Sequence, residues 1–390
     1  MSIQPACFNA RMNRRAFIRL SGLLALGGLL QACGGGAAAP ASSAPGSPST
    51  AAPASKPAAP ASAASVSAKP AASGASAKPA ASAANASAAA KPGSTPKLRV
   101  TYGALVGSFL PLWMAKEMGG FEKYGVSVEM SFVETNNAVA GEIANEIDVM
   151  EVSAAPVITA DTNGNTDLVM IASALNHPIL ALYAEPSITT ADQLKGKLVG
   201  TDKPGTPVDY ACQVALNLLG LKPTDVQLRP LGPGQILPAL ETGQLPAGML
   251  APPETYEAEA KGFKVLKDIY SQPYQNVALV ARKSRLDQLA AGIKPLLAAY
   301  RDGIAAIFDN PQLSMKVQGE YAKITDQTIL QKNQDFYTKT APFQRDMQPT
   351  MEGIQQMIDF LGNSVTPKAK GHKAEEFVDL RFLNDLPKAS

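Results

Sequence analysis

The side chains able to do chemistry in this 390-residue sequence are few, and most are hydroxyls. Ser108 follows Gly107 just before an apolar run with helical spacing. Thr206 follows Lys203-Pro204-Gly205 before another, and Ser153-Ala154 precede a third. A helix start offers unpaired N–H groups and partial positive charge, and a neighbouring hydroxyl donates to the same oxygen. These positions therefore suit a sulfonate, carboxylate, phosphate or nitrate group. They serve equally well as plain N-caps. Tyr102, at the end of a strand-like segment, can meet a ligand or fill a core. Trp113, the only tryptophan, can line a cleft or pack inside. Acid–base and nucleophilic chemistry is thinly supplied. His177 and His372 are far apart and in no metal-ligand spacing, and His177 reads as a structural or cleft-lining imidazole. Cys212 sits in an apolar helical stretch, as a buried inert thiol does. No phosphate-binding glycine loop, nucleophile elbow or zinc signature occurs. The pattern points to binding and not to an enzyme, with no cofactor, metal or catalytic set expected.

The elements that must position these residues follow a strand–helix alternation. Residues 97–103 alternate apolar and polar before a glycine, as a strand does, and 109–118 have helical spacing, with Pro111 tolerable in a first turn. Strands are predicted at 126–133, 148–152, 168–174 and 179–183, with helices at 139–147 and 155–162. The pattern then restarts. Thr190-Ala191-Asp192-Gln193 fits a capping box, and strands at 197–200, 226–230, 247–250 and 263–266 alternate with helices at 206–219, 235–240 and 252–261. After a last apolar strand at 277–281 come helices at 286–308, 313–323, 327–339 and 351–361. Such alternation predicts βαβ units and mainly parallel sheets. It reads as two α/β lobes, the second inserted into the first: 97–183 with 279–390, and 184–278.

The first 96 residues are of another kind. Arg11, Arg14, Arg15 and Arg19 precede a 13-residue apolar run, Leu20–Ala32, too short for the roughly 20 residues a membrane-spanning helix needs. Residues 1–32 read as a secretory signal. Asn13-Arg14-Arg15-Ala16-Phe17 resembles the twin-arginine export motif, and Leu30-Gln31-Ala32-Cys33 resembles a bacterial lipobox, so Cys33 is expected to be lipidated and to tether the chain. The stretch 34–96 is almost wholly Ala, Pro, Ser and Gly, with four lysines and no aromatic residue, and reads as a disordered stalk following Cys33. The whole chain carries 35 basic and 33 acidic residues. The first 96 hold eight of the basic and none of the acidic ones, leaving 27 against 33, a net of −6, for the body. The mild basicity belongs to the leader and stalk, and nothing suggests a nucleic-acid partner.

From about Leu98 to Leu386 the sequence resembles the solute-binding proteins of the nitrate/sulfonate/taurine class of ABC importers, a family sharing its fold with thiamine-pyrimidine-synthesis domains. The resemblance is carried by Tyr102-Gly103, Pro111-Leu112-Trp113-Met114-Ala115-Lys116-Glu117 and Gly120-Phe121-Glu122-Lys123-Tyr124-Gly125-Val126. It continues in Gly141-Glu142-Ile143, Val152-Ser153-Ala154-Ala155-Pro156, Asp192-Gln193-Leu194-Lys195-Gly196-Lys197 and Gly262-Phe263-Lys264-Val265-Leu266. It departs at Gly243-Gln244-Leu245-Pro246-Ala247, where relatives have Asp in place of Pro246. The resemblance implies a two-lobed periplasmic-binding-protein-like fold of type II with a helical C-terminal part. It also implies a monomeric lipid-anchored receptor in the cell envelope or periplasm, delivering a small sulfonate-, nitrate- or taurine-like anion or a pyrimidine-like solute to an ABC permease and ATPase. It puts Gln235 and Glu254 at second-lobe cleft positions beside Tyr102, Ser108, Trp113, Ser153, Ala154 and Thr206. A cleft-facing Glu254 favours an amine-bearing or heteroaromatic solute over an anion. Two other readings share the fold: an enzyme of pyrimidine synthesis, and a lipoprotein presenting ligand to a sensor.

Overall fold

The computed structural model describes residues 95–387, apart from Asn165 and Pro233. The signal segment, Cys33 and the stalk lie outside the described residues. Among the described residues ten strands form two five-stranded sheets. The first contains β1 (Lys97–Tyr102), β2 (Ser127–Phe132), β3 (Val149–Val152), β4 (Leu168–Leu175) and β10 (Val277–Arg282) in the order β2-β1-β3-β10-β4. The second contains β5 (Ala181–Ala184), β6 (Leu198–Thr201), β7 (Gln227–Pro230), β8 (Ala247–Leu250) and β9 (Lys264–Asp268) in the order β7-β6-β8-β5-β9. The chain therefore leaves the first sheet after β4, builds the whole second sheet, and returns as β10.

Neither sheet is as parallel as the alternation predicts. β1 runs parallel to β2 and β3, and β6 parallel to β7 and β8. β10 is antiparallel to β3 and β4, and β5 antiparallel to β8 and β9. The reversed strands are those that enter from the other lobe and so insert from the opposite end.

Helices cover both faces of the first sheet. α1 (Leu110–Glu117), α2 (Gly120–Lys123) and α8 (Leu286–Asp309) pack one face through Trp113, Leu296, Tyr300 and Ile304. α3 (Thr135–Ile143), α4 (Ala154–Gly164) and α11 (Met351–Asn363) pack the other through Ile158, Met357 and Ile358. α5 (Pro207–Leu218), α6 (Ile236–Glu241) and α7 (Glu254–Ala260) surround the second sheet; α9 (Pro311–Ala322), α10 (Gln327–Asp335) and α12 (Arg381–Asn384) complete the C-terminal part. Local chemistry accounts for the boundaries. α5 opens on Pro207 with the Thr206 hydroxyl accepting from Asp209 N at 3.3 Å, and Gln193 Oε1 accepts from Thr190 N at 3.0 Å. α3 lies four residues earlier than the periodicity predicts, because Asn145 adopts φ 62° and ends the helix before Ile147. The helix expected over 327–339 ends at Asp335 and passes into a π turn over Phe336–Thr340.

An ion cluster closes one end of the first sheet. Asp148, 5% exposed, accepts from Arg99 N and Nε at 2.9 Å and from Arg285 Nη2 at 2.6 Å. Burial pushes its carboxyl up, but the hydrogen bonds from Arg99 and Arg285 outweigh this and hold it below the ordinary Asp range. Its contribution is therefore present at neutral pH and lost as pH falls through that depressed value. Asp148→Ala strands Arg285 and should cost about 3 kcal/mol at pH 7. Urea melts of the two proteins should converge in strong acid; an unchanged gap there would assign the loss to packing instead.

Candidate functional site

Strand register brings the hydroxyl-bearing loops to one edge. Tyr102 at the end of β1 pairs with Glu151 near the end of parallel β3, so the loops to Ser108 and Ser153 leave the sheet side by side. Ala278 at the start of antiparallel β10 pairs with Val152, and Val277 pairs with Leu175 at the end of β4, so both crossing segments lie at that edge too. In the second sheet Ala181, opening β5, pairs with Leu250, closing β8. The loops to Thr206 and Glu254 therefore face the same crossing segments. This is where the carboxyl ends of parallel strands in an open α/β sheet place a ligand crevice.

Several buried hydroxyls there lack a well-formed hydrogen bond. Ser108 is 2% exposed in a single 3₁₀ turn over Gly107–Phe109. Tyr337, fully buried, stacks on Phe343 with centroids 5.2 Å apart and brings its hydroxyl against Ser108, with no other partner and without a hydrogen bond of good geometry. Gly107 makes this approach feasible, since a Cβ there would stand 2.5 Å from Tyr337 Cε2. Tyr274 stacks on Tyr210 at 5.4 Å and holds its hydroxyl against the Ser153 side chain, with no other partner and without a hydrogen bond of good geometry. Thr255, 1% exposed in the first turn of α7, has an unpartnered Oγ1. Burial raises the pKa of both tyrosines, so they are neutral donors at any physiological pH. Orphaned buried polar atoms are rare in folded proteins, and such a group at a crevice is suited to a ligand atom.

The lobes also meet directly. The Tyr210 hydroxyl donates to Gln356 Oε1 at 3.1 Å, Tyr256 Oη donates to the Lys332 carbonyl at 3.2 Å, and Lys332 stands 3.5 Å from Glu259. The crossing segments are tied together by Asn276, whose N donates to Leu175 O at 3.0 Å and whose Nδ2 donates to His177 O at 2.9 Å.

The remaining residues singled out from the sequence fall as follows. The Ala154 amide at the start of α4 donates to the Gln275 carbonyl at 3.2 Å, and the Ser153 side chain stands against the Tyr274 hydroxyl. Thr206 caps α5 and its hydroxyl donates to Lys203 O at 2.8 Å. Tyr102 and Trp113 lie together in the first-lobe core, edge to face at 5.5 Å, with Trp113 stacked on Tyr321 at 5.0 Å. Gln235 is exposed beside Gly232. Glu254 is half-buried, and burial followed by Glu257 raises its pKa. Burial pushes the Cys212 thiol up to about 12, the state of an unreactive thiol. Among the described residues no cluster of three or more His, Cys, Asp or Glu side chains could hold a metal ion, and no helix is long and apolar enough to cross a membrane.

Sequence reasoning missed Tyr274, Tyr337 and Thr255. Tyr274 was signalled only by Pro273 before an apolar strand, and Tyr337 sits in what reads as an ordinary core helix.

Known structures share this architecture. The periplasmic aliphatic sulphonate binding protein SsuA from Escherichia coli matches with a TM-score of 0.63 at 20% identity, covering 73% of this chain and 98% of its own. The alkanesulfonate-binding protein SsuA from Xanthomonas axonopodis pv. citri, bound to MOPS, gives 0.56 at 16%, covering 69% and 93%. A conserved Candida albicans gene product, described as having the generic periplasmic binding protein structural fold, gives 0.58 at 18%, covering 73% and 96%. No curated protein matches. With a periplasmic-binding-protein-like fold in place, the match of residues 107–314, just over half the chain, to the model described as NMT1/THI5 like means that this chain belongs to the NMT1/THI5-like family.

Proposed function

We propose that the protein is a membrane-anchored extracytoplasmic receptor that takes a small solute between its two lobes and delivers it to an ABC permease. The observation that carries this reading is the set of buried hydroxyls at the edge where both sheets present their loops: Thr255 has no partner, and Tyr337 and Tyr274 have only Ser108 and Ser153 beside them, with no hydrogen bond of good geometry. A solute head accepting from Tyr337 and Ser108 on one side and from Tyr274 and Ser153 on the other replaces water with hydrogen bonds otherwise unmade. The contacts of Tyr210 with Gln356 and of Tyr256 with Lys332 are those a hinge-closed receptor makes across its lobes. The sulfonate-binding structures of the same fold favour a sulfonate- or taurine-like head; nitrate-like and pyrimidine-like solutes are the alternatives. An enzymatic reading needs an activated nucleophile or base at this edge, and Cys212 is neither placed nor ionised for that.

The test is a thermal-shift screen of the mature protein against alkanesulfonates, taurine, nitrate and pyrimidines. A solute at one hundred times its Kd stabilises the native state by about 2.7 kcal/mol, a shift of several degrees. Tyr337→Phe, which removes one oxygen from a packed ring, should leave the unliganded melting temperature nearly unchanged and weaken the bound state tenfold or more. If no member of the panel moves the melting temperature, the reading loses its support.

A further inference from the structure

We propose that the apolar cavity at the crossing segments seats an uncharged apolar body of the solute, so that the preferred ligand carries a ring-sized hydrophobic group beside its polar head. This rests on the reading of the interlobe edge as a solute site. The cavity has a volume of about 190 Å³ and is walled by Ile179 and Leu180 of the first crossing segment, Tyr274 of the second, Val208 and Tyr210 of α5, and Ala251 after β8. Its surface is almost entirely carbon. The cavity is half-open rather than enclosed, and its apolar lining lacks dispersion contacts that an apolar group would supply. An enclosed apolar cavity of about 150 Å³ admits benzene, so a cleft of this volume has room for one ring. The cavity adjoins the polar site through one residue: the Tyr274 ring lines it, and the hydroxyl of the same ring stands against Ser153. A ligand with its head at Ser153 and Tyr274 thus has an apolar space within one ring's length. The walls come from both crossing segments and from a helix of the second lobe, so an occupant touches the elements whose relative position closure sets. Solutes with only a methyl group beside the head, such as methanesulfonate, leave the space largely empty.

Two head-matched pairs and one headless probe test this on the full chain: methanesulfonate against benzenesulfonate, acetamide against benzamide, and benzene alone, read by calorimetric titration and melting temperature. The phenyl member of a pair should bind at least about tenfold more tightly than its methyl partner, given the apolar area it removes from water. Benzene alone should raise the melting temperature. Ala251→Leu, which projects a side chain into the cavity, should abolish the benzene response and the phenyl preference while a methyl-headed probe still binds. Val208→Phe, at a half-buried position on α5, is the second filling variant should Ala251→Leu fail to fold. Equal affinity within the pairs overturns the apolar subsite and leaves the solute site standing, since the methyl members then bind. Benzene binding without any response to the four head-bearing probes overturns the subsite as part of a solute site, and the absence of benzene and phenyl binding overturns it altogether.

Discussion

Gly303→Ala should destabilise the protein by about 2 kcal/mol, although glycine to alanine inside a helix ordinarily gains roughly 1 kcal/mol. Gly303 lies in the C-terminal half of α8, where that helix crosses α1. A Cβ placed there would stand 2.5 Å from Pro111 O, 2.9 Å from Ala115 N and 3.3 Å from Ala115 Cα. All three atoms are backbone, so no side chain can turn aside. Relief requires α1 and α8 to separate, and they are held by fully buried Leu112, Ile304 and Ile307 packed into one core. Separation opens gaps around each of these at once, and the dispersion lost exceeds the propensity gained. For a folded unit of this size the melting temperature should fall by about 5 °C. Trp113 stands on α1 between the two contact points, so its emission should shift to the red in the same variant. Gly164→Ala is the control, because a Cβ there meets only Thr166 Cγ2 at an ordinary 3.5 Å. Equal melting temperatures for Gly303→Ala and the wild type would show that the helices can part cheaply.

The contrast with local pattern shows where a sequence is legible. The strand over 277–281, the long apolar helix after Leu286 and the capping box at Thr190 were readable because their signals are periodic or local: alternation, a 3.6-residue stripe, a hydroxyl followed three residues later by an amide. The two-lobed arrangement followed from the restart of the alternation after β5. What could not be read is what depends on distant partners. Tyr337 acquires its place from Gly107, 230 residues earlier, and nothing near either residue announces the other. Ser108 was legible as a hydroxyl at a helix start, but its burial comes from the turn tucking beneath Tyr337. Trp113 was ambiguous because its face depends on Tyr321, which reaches it from α9. The antiparallel entry of β5 and β10 is a property of where the chain returns, which periodicity does not encode.

Buried carboxylates are the extreme case, and one of them controls how the fold responds to base. Glu142 on α3 is fully buried; its Oε1 accepts from Arg282 N at 3.2 Å, and its Oε2 has no partner. Burial raises its pKa to about 8, against the pull of Arg282 and Arg285 and with a smaller push from Asp148. Because the unfolded chain releases this proton near the ordinary value of 4.5, the native state holds one more proton than the unfolded state between that value and about 8. Stability therefore declines as pH rises across this window, and the decline levels off above it. The full effect of such a shift is on the order of 5 kcal/mol, an upper value for a group whose charged form can draw in water or move toward Arg285. Glu142→Gln keeps the acceptor for Arg282 N and replaces the protonated oxygen by an uncharged group of similar size. At pH 5 the two proteins should melt within a degree or two of each other, since both side chains are neutral in the native state and the unfolded chain gains little by ionising Glu142 so close to 4.5. At pH 9 the variant should be more stable by several kcal/mol, and its melting temperature should vary less with pH. Melting curves that fall in parallel for wild type and variant from pH 6 to pH 9 would mean that Glu142 is already ionised in the native state and that the decline has another source.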